Sequence, residues 1–155
     1  MDIMSLPSGS SSEGDKLWDE QPHLGRLPYE IANLFVTLLG QHTSTSESCW
    51  FAVWEGYGDL EIPRRDAAKF SVPNRDMLLL HGRLQDALQT LNEIGWSYLG
   101  PNLWWPEDRA WFVATEIDFN WTYVGGTRDC IQSILDDPQL EALPTNPMEG
   151  NAMEK

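Results

Sequence analysis

Apolar side chains recur at helical spacing in three segments of the chain. The first stripe comprises Leu27, Ile31, Leu34, Phe35 and Leu38, with Pro28 in its first turn and Gly40 at its end. The second comprises Leu84, Ala87, Leu88, Leu91 and Ile94, and the third comprises Cys130, Ile131, Ile134 and Leu135. This spacing places each stripe on one face of a helix, so the sequence predicts about three amphipathic helices.

Four shorter segments have the composition of β-strands. Residues 49–54 are apolar at every position, which is typical of a strand covered on both faces. Residues 110–119 form the longest such segment, and residues 77–80 and 121–124 are short apolar runs followed closely by glycine. Helices and strands alternate with links of varied length. We therefore predict an α+β fold, a single domain whose central, mostly antiparallel sheet is packed by about three helices.

The two ends of the chain differ in composition from the segment between them. Residues 1–23 are rich in serine, glycine and acidic side chains, which predicts a disordered tail. Residues 146–155 are polar and contain proline at position 147, which predicts a flexible C-terminal tail. Residues 24–145 are the predicted single α+β domain.

The net charge of the chain narrows the classes of molecule that it could bind. Ten Lys and Arg residues against 24 Asp and Glu give a formal net charge of −14. Such a surface repels phosphate backbones and anionic lipids, so we expect neither a nucleic acid nor a membrane as partner. The longest apolar runs are too short to cross a bilayer, and the first residues lack the pattern of a signal peptide.

Cys49 and Cys130 are too few for a disulfide scaffold. We expect a cytoplasmic protein with reduced, buried thiols.

One pair of acidic residues is placed where it could carry chemistry. Glu116 and Asp118 lie two positions apart on a predicted strand, so their side chains share a face and could hold a divalent cation or divide acid–base roles. A solvated strand face, or pairing with Arg109 or Arg128, explains the same pattern and is the interpretation we favour. The three histidines are scattered along the chain, and we predict no metal, no cofactor and no catalytic residue.

Tryptophan is the unusual residue of this chain, with eight copies. Trp104 and Trp105 are adjacent, so in extended chain their rings face opposite sides. We expect one ring to pack inward and the other to reach the surface near Arg109, where a cation–π contact is possible. Because exposed tryptophan is enriched at interfaces, the candidate binding residues are Trp54, Tyr57, Trp104, Trp105, Arg109, Glu116 and Asp118. Core filling by large aromatic side chains explains the same tryptophan content and is the interpretation we favour for most of these rings.

Two short patterns resemble known families. Residues 103–111 (LWWPEDRAW), with TEID at 115–118 and TYVGG at 122–126, resemble a family of small bacterial proteins that is uncharacterised. A helix followed by WEGYG at residues 54–58 is similar to the SUKH immunity proteins. The first resemblance implies no activity. The second implies an inhibitor that covers a toxin.

These observations leave three functional hypotheses. The first is a non-catalytic module that binds a protein partner, with an immunity-like inhibitor of a basic protein as its variant. The alternative is a small-ligand-binding domain or enzyme that uses Glu116 and Asp118 in an aromatic-lined pocket. The third, a mimic of DNA, needs acidic residues in a row, whereas those of this chain are dispersed. A concave pocket holding both carboxylates favours the ligand or enzyme hypothesis, and a flat aromatic patch favours a protein partner.

Overall fold

The computed structural model describes residues 2–7, 25–58, 60–61, 67–91 and 98–146, with the backbone alone for residues 2–7. Two α-helices lie in these ranges, α1 (Tyr29–Gly40) and α2 (Arg128–Leu135), together with a 3₁₀ helix, Leu84–Leu88. The strands are β1 (Asp2–Pro7), β2 (Cys49–Trp54), β3 (Ala68–Val72), β4 (Arg75–Gly82), β5 (Leu103–Pro106), β6 (Trp111–Thr115), β7 (Trp121–Gly126) and β8 (Leu143–Thr145).

The strands form one sheet in the order β3-β4-β2-β5-β6-β7-β1-β8, and every pair of neighbours is antiparallel. The α+β class and the antiparallel sheet are therefore confirmed. Strands β2 to β7 make up its central part. Strands β1 and β8 extend it on the far side of β7.

The prediction of about three helices is not confirmed, since the described residues include two α-helices. The second apolar stripe begins as the 3₁₀ helix and leaves helical geometry at Gln89. Beyond it, the Leu91 amide donates to the Leu99 carbonyl, and the Leu91 carbonyl accepts from the Glu61 amide at 3.0 Å. Extended pairing thus replaces the helical turn that the stripe predicts. Residues 92–97 of that stripe lie outside the described residues.

The N-terminal segment departs from its prediction. Asp2–Pro7, part of the predicted disordered tail, pairs along its whole length with β7 and over three residues with β8. The prediction is wrong for these residues, because backbone pairing at a sheet edge needs no apolar composition to satisfy its amides. Residues 8–24 lie outside the described part of the chain, as do 147–155 of the predicted C-terminal tail.

The helices all pack on one side of the sheet, which we call the helix face. The core cluster joins Phe35 of α1 and Ile134 of α2 to side chains from the strands. Four of those side chains lie in one cross-strand row, in the order Phe51, Trp104, Val113 and Val124. Because side chains alternate along a strand, the residues between them point to the opposite side. We call that side the outer face.

Two polar contacts secure the helices to this sheet. The Thr127 hydroxyl accepts the Cys130 amide at 3.3 Å, which caps α2 as the sequence predicts. The Trp111 indole donates at 3.0 Å to the carbonyl of Leu39 in the last turn of α1. Within the described ranges, no helix is long and apolar enough to cross a membrane.

Candidate functional site

The aromatic side chains of the strands are distributed over both faces of the sheet. The three that point toward the helices are all buried: Phe51, Trp104 and Trp111. Seven others lie on the outer face by the strand register: Trp50, Trp54, Phe70, Trp105, Phe112, Trp121 and Tyr123. All seven keep some exposed surface, and Phe112 and Trp121 are 38% and 45% exposed. The outer face thus presents aromatic rings that no described helix covers.

The adjacent tryptophans take opposite sides, as extended backbone requires. Trp104 is 1% exposed and meets Trp111 edge-on, with ring centroids 6.1 Å apart. Its indole nitrogen has no hydrogen-bond partner among the described residues, so Trp104 fills the core as an apolar side chain. Trp105 is half-buried and stacks on Phe112, with centroids 5.7 Å apart and an interplanar angle of 26°. Of the two candidates, only Trp105 is placed to contact another molecule.

Trp105 belongs to a small cluster on the outer face. Trp50 lies opposite it in the register of β2 and β5, and the Trp50 ring packs against His81 with centroids 4.4 Å apart. The indole of Trp50 donates to a carboxylate oxygen of Glu107 at 2.5 Å. We call Trp50, His81, Trp105 and Phe112 the aromatic patch. Its rim is acidic, because Glu107 lies at the end of β5.

The turn after β5 is held by one carboxylate. Asp108 accepts hydrogen bonds from the Thr43 hydroxyl, from the amide and hydroxyl of Ser44, and from the Ala110 amide, at 2.8–3.1 Å. Partial desolvation acts to raise the pKa of Asp108, but these hydrogen bonds outweigh it and lower the pKa to about 2. Asp108 therefore ties this turn to the loop between α1 and β2 as a carboxylate.

Arg109 lies in the same turn and is exposed. Its backbone has a φ of 57°, and its amide donates to the Pro106 carbonyl at 2.9 Å. Within the described ranges, the two cation–π contacts belong to Arg26 and Arg75, and neither involves a ring of the aromatic patch. The expected contact between Arg109 and a tryptophan of this pair is therefore absent.

The acidic pair is occupied by an arginine that the sequence analysis did not single out. Arg75, at the start of β4, donates to Asp118 and lies 3.3 Å from a carboxylate oxygen of Glu116. The side chains of Glu116 and Asp118 are 42% and 70% exposed. Desolvation acts to lower the pKa of Arg75, but its bonds to both carboxylates outweigh this and raise it. The pair is thus solvated and ion-paired, with Arg75 in place of the expected Arg109 or Arg128.

Trp54 and Tyr57 lie beside this ion-pair cluster. The guanidinium of Arg75 lies over the Trp54 ring, 5.4 Å from its centroid, and Trp54 meets Tyr57 edge-on at 5.2 Å. The Tyr57 hydroxyl donates to the Gly25 carbonyl at 3.1 Å and accepts from the side-chain amide of Asn102. Four of the candidate residues, Trp54, Tyr57, Glu116 and Asp118, therefore converge on one end of the sheet through Arg75.

Asn102 is the second residue that the sequence analysis missed. It is 2% exposed, its side-chain oxygen accepts the Trp54 amide at 2.9 Å, and its side-chain nitrogen donates to Tyr57 at 3.1 Å. The sequence places it after Gly100 and Pro101, where a turn is the natural interpretation. A buried asparagine that supports a strand end has the same local sequence. Similarly, Arg75 follows a proline-containing irregular segment, and only the pairing of β4 with β2 brings it near the acids.

The described cleft does not hold the acidic pair. It has a volume of about 370 Å³ and lies beside the 3₁₀ helix, and neither Glu116 nor Asp118 lines it.

Burial raises the pKa of both Cys49 and Cys130 to about 11, so neither thiol ionises readily at neutral pH. Across the described residues, no group of three or more histidine, cysteine or acidic side chains is arranged to hold a metal ion.

Comparison with known proteins adds no relative. No family model matches the chain, and neither a curated protein nor a solved structure matches it.

Proposed function

We propose that this chain is a non-catalytic, cytoplasmic protein-binding module that contacts its partner through the aromatic patch. The observation that carries the proposal is the one-sided placement of the helices. The helix face supplies the core, while Trp50, Trp105 and Phe112 share an outer face that no described helix covers. Partly exposed aromatic clusters rimmed by polar groups are typical of protein interfaces.

The charge of the chain favours a basic partner. The net charge is −14, and Glu107 and Asp108 lie exposed at the edge of the patch. A positive partner is attracted over a range of about a Debye length, which speeds its encounter with the patch at low salt. An immunity-like inhibitor that covers a basic protein has this chemistry, in keeping with the resemblance of residues 54–58 to SUKH immunity proteins.

The ligand or enzyme hypothesis for Glu116 and Asp118 loses support. A general acid or a cation ligand needs a carboxylate that is available to substrate or metal. Arg75 already lies against both carboxylates, and both are open to water. Exposed carboxylates paired in this way are common on protein surfaces.

The experiment is affinity capture followed by calorimetry on the identified partner. The wild-type chain is used to capture proteins from its native cell, and the captured protein is purified and titrated against three variants. Trp105→Ala and Phe112→Ala remove the stacked pair, and each should raise the Kd about 30-fold, the equivalent of roughly 2 kcal/mol. Phe119→Ala is the matched control, because Phe119 is 42% exposed but lies in the turn after β6.

Two results would contradict the proposal. One is a partner that binds all three variants with the affinity of the wild type. The other is a capture experiment in which the wild type and the Trp105→Ala/Phe112→Ala double variant retain the same proteins. Sedimentation velocity on the purified chain separates a further case, in which the patch joins two copies of this protein. In that case Trp105→Ala shifts the wild-type dimer to monomer.

A further inference from the structure

A cleft of about 370 Å³ opens between β4 and the 3₁₀ helix, and His81 of the aromatic patch forms part of its wall. Its apolar part is lined by Phe51, Leu80, Ala87, Leu91 and Pro101. Its polar part is lined by Glu61, His81, Asp86, Gln89 and Thr90. This volume falls in the range of small-molecule sites, which combine apolar walls with a few polar groups.

The walls of the cleft are fixed by backbone hydrogen bonds. The Glu61 amide donates to the Leu91 carbonyl at 3.0 Å, and the Leu91 amide donates to the Leu99 carbonyl at 2.9 Å. On the opposite wall, Asp86 accepts the Arg83 amide at 2.8 Å and so anchors the start of the 3₁₀ helix. Glu61 and Asp86 are thus each held in place by a backbone hydrogen bond.

The charge of the lining selects the ligand. Two carboxylates line the cleft, and the described lining residues include no lysine or arginine. Arg83 approaches Asp86 only at 3.9 Å, and it is the single ion-pair partner of that carboxylate within the described ranges. Glu61 is exposed and has no ion pair there. An ammonium group would therefore find beside an apolar floor the Glu61 carboxylate, which has no ion-pair partner among the described residues.

We propose that this cleft binds a small organic amine, a molecule with one ammonium group and an apolar ring or chain. The apolar body packs on Phe51, Leu80 and Leu91, and the ammonium donates to Glu61, with Asp86 adding to the negative potential. This site shares His81 with the aromatic patch, but the binding of the amine does not depend on the proposed protein partner. The net charge of the whole chain attracts the same class of ligand.

The test uses three probes of one shape and different charge: 2-phenylethylamine, 2-phenylethanol and 3-phenylpropanoate. Protein NMR titration follows the backbone amides of residues 80–91. The amine should give saturable shifts confined to the cleft, whereas the alcohol should bind at least about threefold more weakly and the carboxylate should give no saturable shift. Equal binding of amine and alcohol would overturn the assignment of a cation. Shifts outside the cleft, or none, would overturn the site.

Variants assign the binding to the cleft. Glu61→Gln should raise the Kd of 2-phenylethylamine about three- to fivefold, which is the effect expected of one exposed ion pair. Gln89→Arg places a positive charge on the rim and should abolish saturable binding. Glu30→Gln is the control, because it removes one exposed charge from α1 without touching the cleft and should leave the affinity unchanged. If Glu61→Gln and Glu30→Gln behave alike, the cleft does not select the ammonium and the proposal fails.

Discussion

The helix face and the outer face of this sheet are built from the same residue types but serve different ends. On the helix face, large rings meet edge to face in the core, as with Trp104 and Trp111. On the outer face, the rings of Trp105 and Phe112 lie nearly parallel and remain accessible. Tryptophan content alone therefore does not indicate a binding surface. Which side of the sheet the helices take decides the role of each ring.

Truncation of the adjacent tryptophans is the sharpest test of this comparison. Trp104→Ala should lower the free energy of unfolding by about 3–5 kcal/mol, because it opens a large cavity in the core. Trp105→Ala should cost about 1 kcal/mol, because it removes one stacked contact from a half-buried ring. Urea denaturation of both variants measures the difference. Equal losses would mean that the two faces are packed alike.

Loss of the hydrogen bonds that Asn102 forms with Trp54 and Tyr57 should have the next largest effect on the free energy of unfolding. Asn102→Ala removes the acceptor of the part-buried Trp54 amide and the side-chain nitrogen that donates to Tyr57, whose hydroxyl keeps its bond to the Gly25 carbonyl. We expect a loss of about 2 kcal/mol in the free energy of unfolding. The matched control is Asn33→Ala, an exposed position in α1 where alanine favours the helix. A loss no greater than that of the control would show that water replaces the asparagine without cost.

The turn beside the aromatic patch should respond to acid. The pKa of Asp108 is lowered in the folded protein from its ordinary value of 3.8 to about 2. Its stabilisation is therefore complete above about pH 4–5 and is lost as the pH falls through 3.8 toward 2. Asp108→Asn should lower stability by about 1 kcal/mol at pH 7, and less at pH 3. Thermal melting at both pH values checks this, with Glu47→Gln as an exposed charge control from the nearby loop. An Asp108→Asn deficit that is the same at both pH values would contradict the role of the carboxylate.

The ion-pair cluster at the other end of the outer face should matter least. Glu116→Gln combined with Asp118→Asn should change the free energy of unfolding by less than about 1 kcal/mol, because exposed ion pairs contribute little. Added Mg²⁺ or Ca²⁺ should leave the melting temperature of the wild type unchanged. A rise with divalent cations that the double variant abolishes would restore the metal hypothesis for these carboxylates.

Local periodicity was enough to predict several elements. The stripe from Leu27 to Leu38 and the Thr127 cap locate α1 and α2, because helices are defined by contacts within one segment. The alternation at Trp104 and Trp105 likewise places their rings on opposite sides. Strand pairing is not local, however. The contact of Arg75 with Glu116 joins the start of β4 to the residue after β6, two strands that are separated in the sheet by β2 and β5.

Two further departures have the same origin. The apolar stripe from Leu84 to Ile94 is helical in pattern, yet Leu91 pairs with extended backbone brought in from residue 61. Asp2–Pro7 lacks a strong strand pattern, yet the edge of β7 pairs with it. In both cases the backbone hydrogen bonds are formed with a segment that is distant in sequence, and the local sequence does not indicate which segment that is. Of the aromatic patch, the sequence analysis singled out only Trp105, because the pairing of distant strands brings Trp50, His81 and Phe112 beside it.

The separation of the tryptophans between two faces also gives the protein an optical reporter. Indole fluorescence shifts to longer wavelength in contact with water, and soluble quenchers reach only accessible rings. Trp104 and Trp111 are each 1% exposed and should emit at short wavelength, shielded from acrylamide. Trp105 and Trp121 should provide the quenchable, long-wavelength component. A molecule that covers the outer face should therefore shift the emission of Trp105 and Trp121 to shorter wavelength and shield it from acrylamide, with no added label.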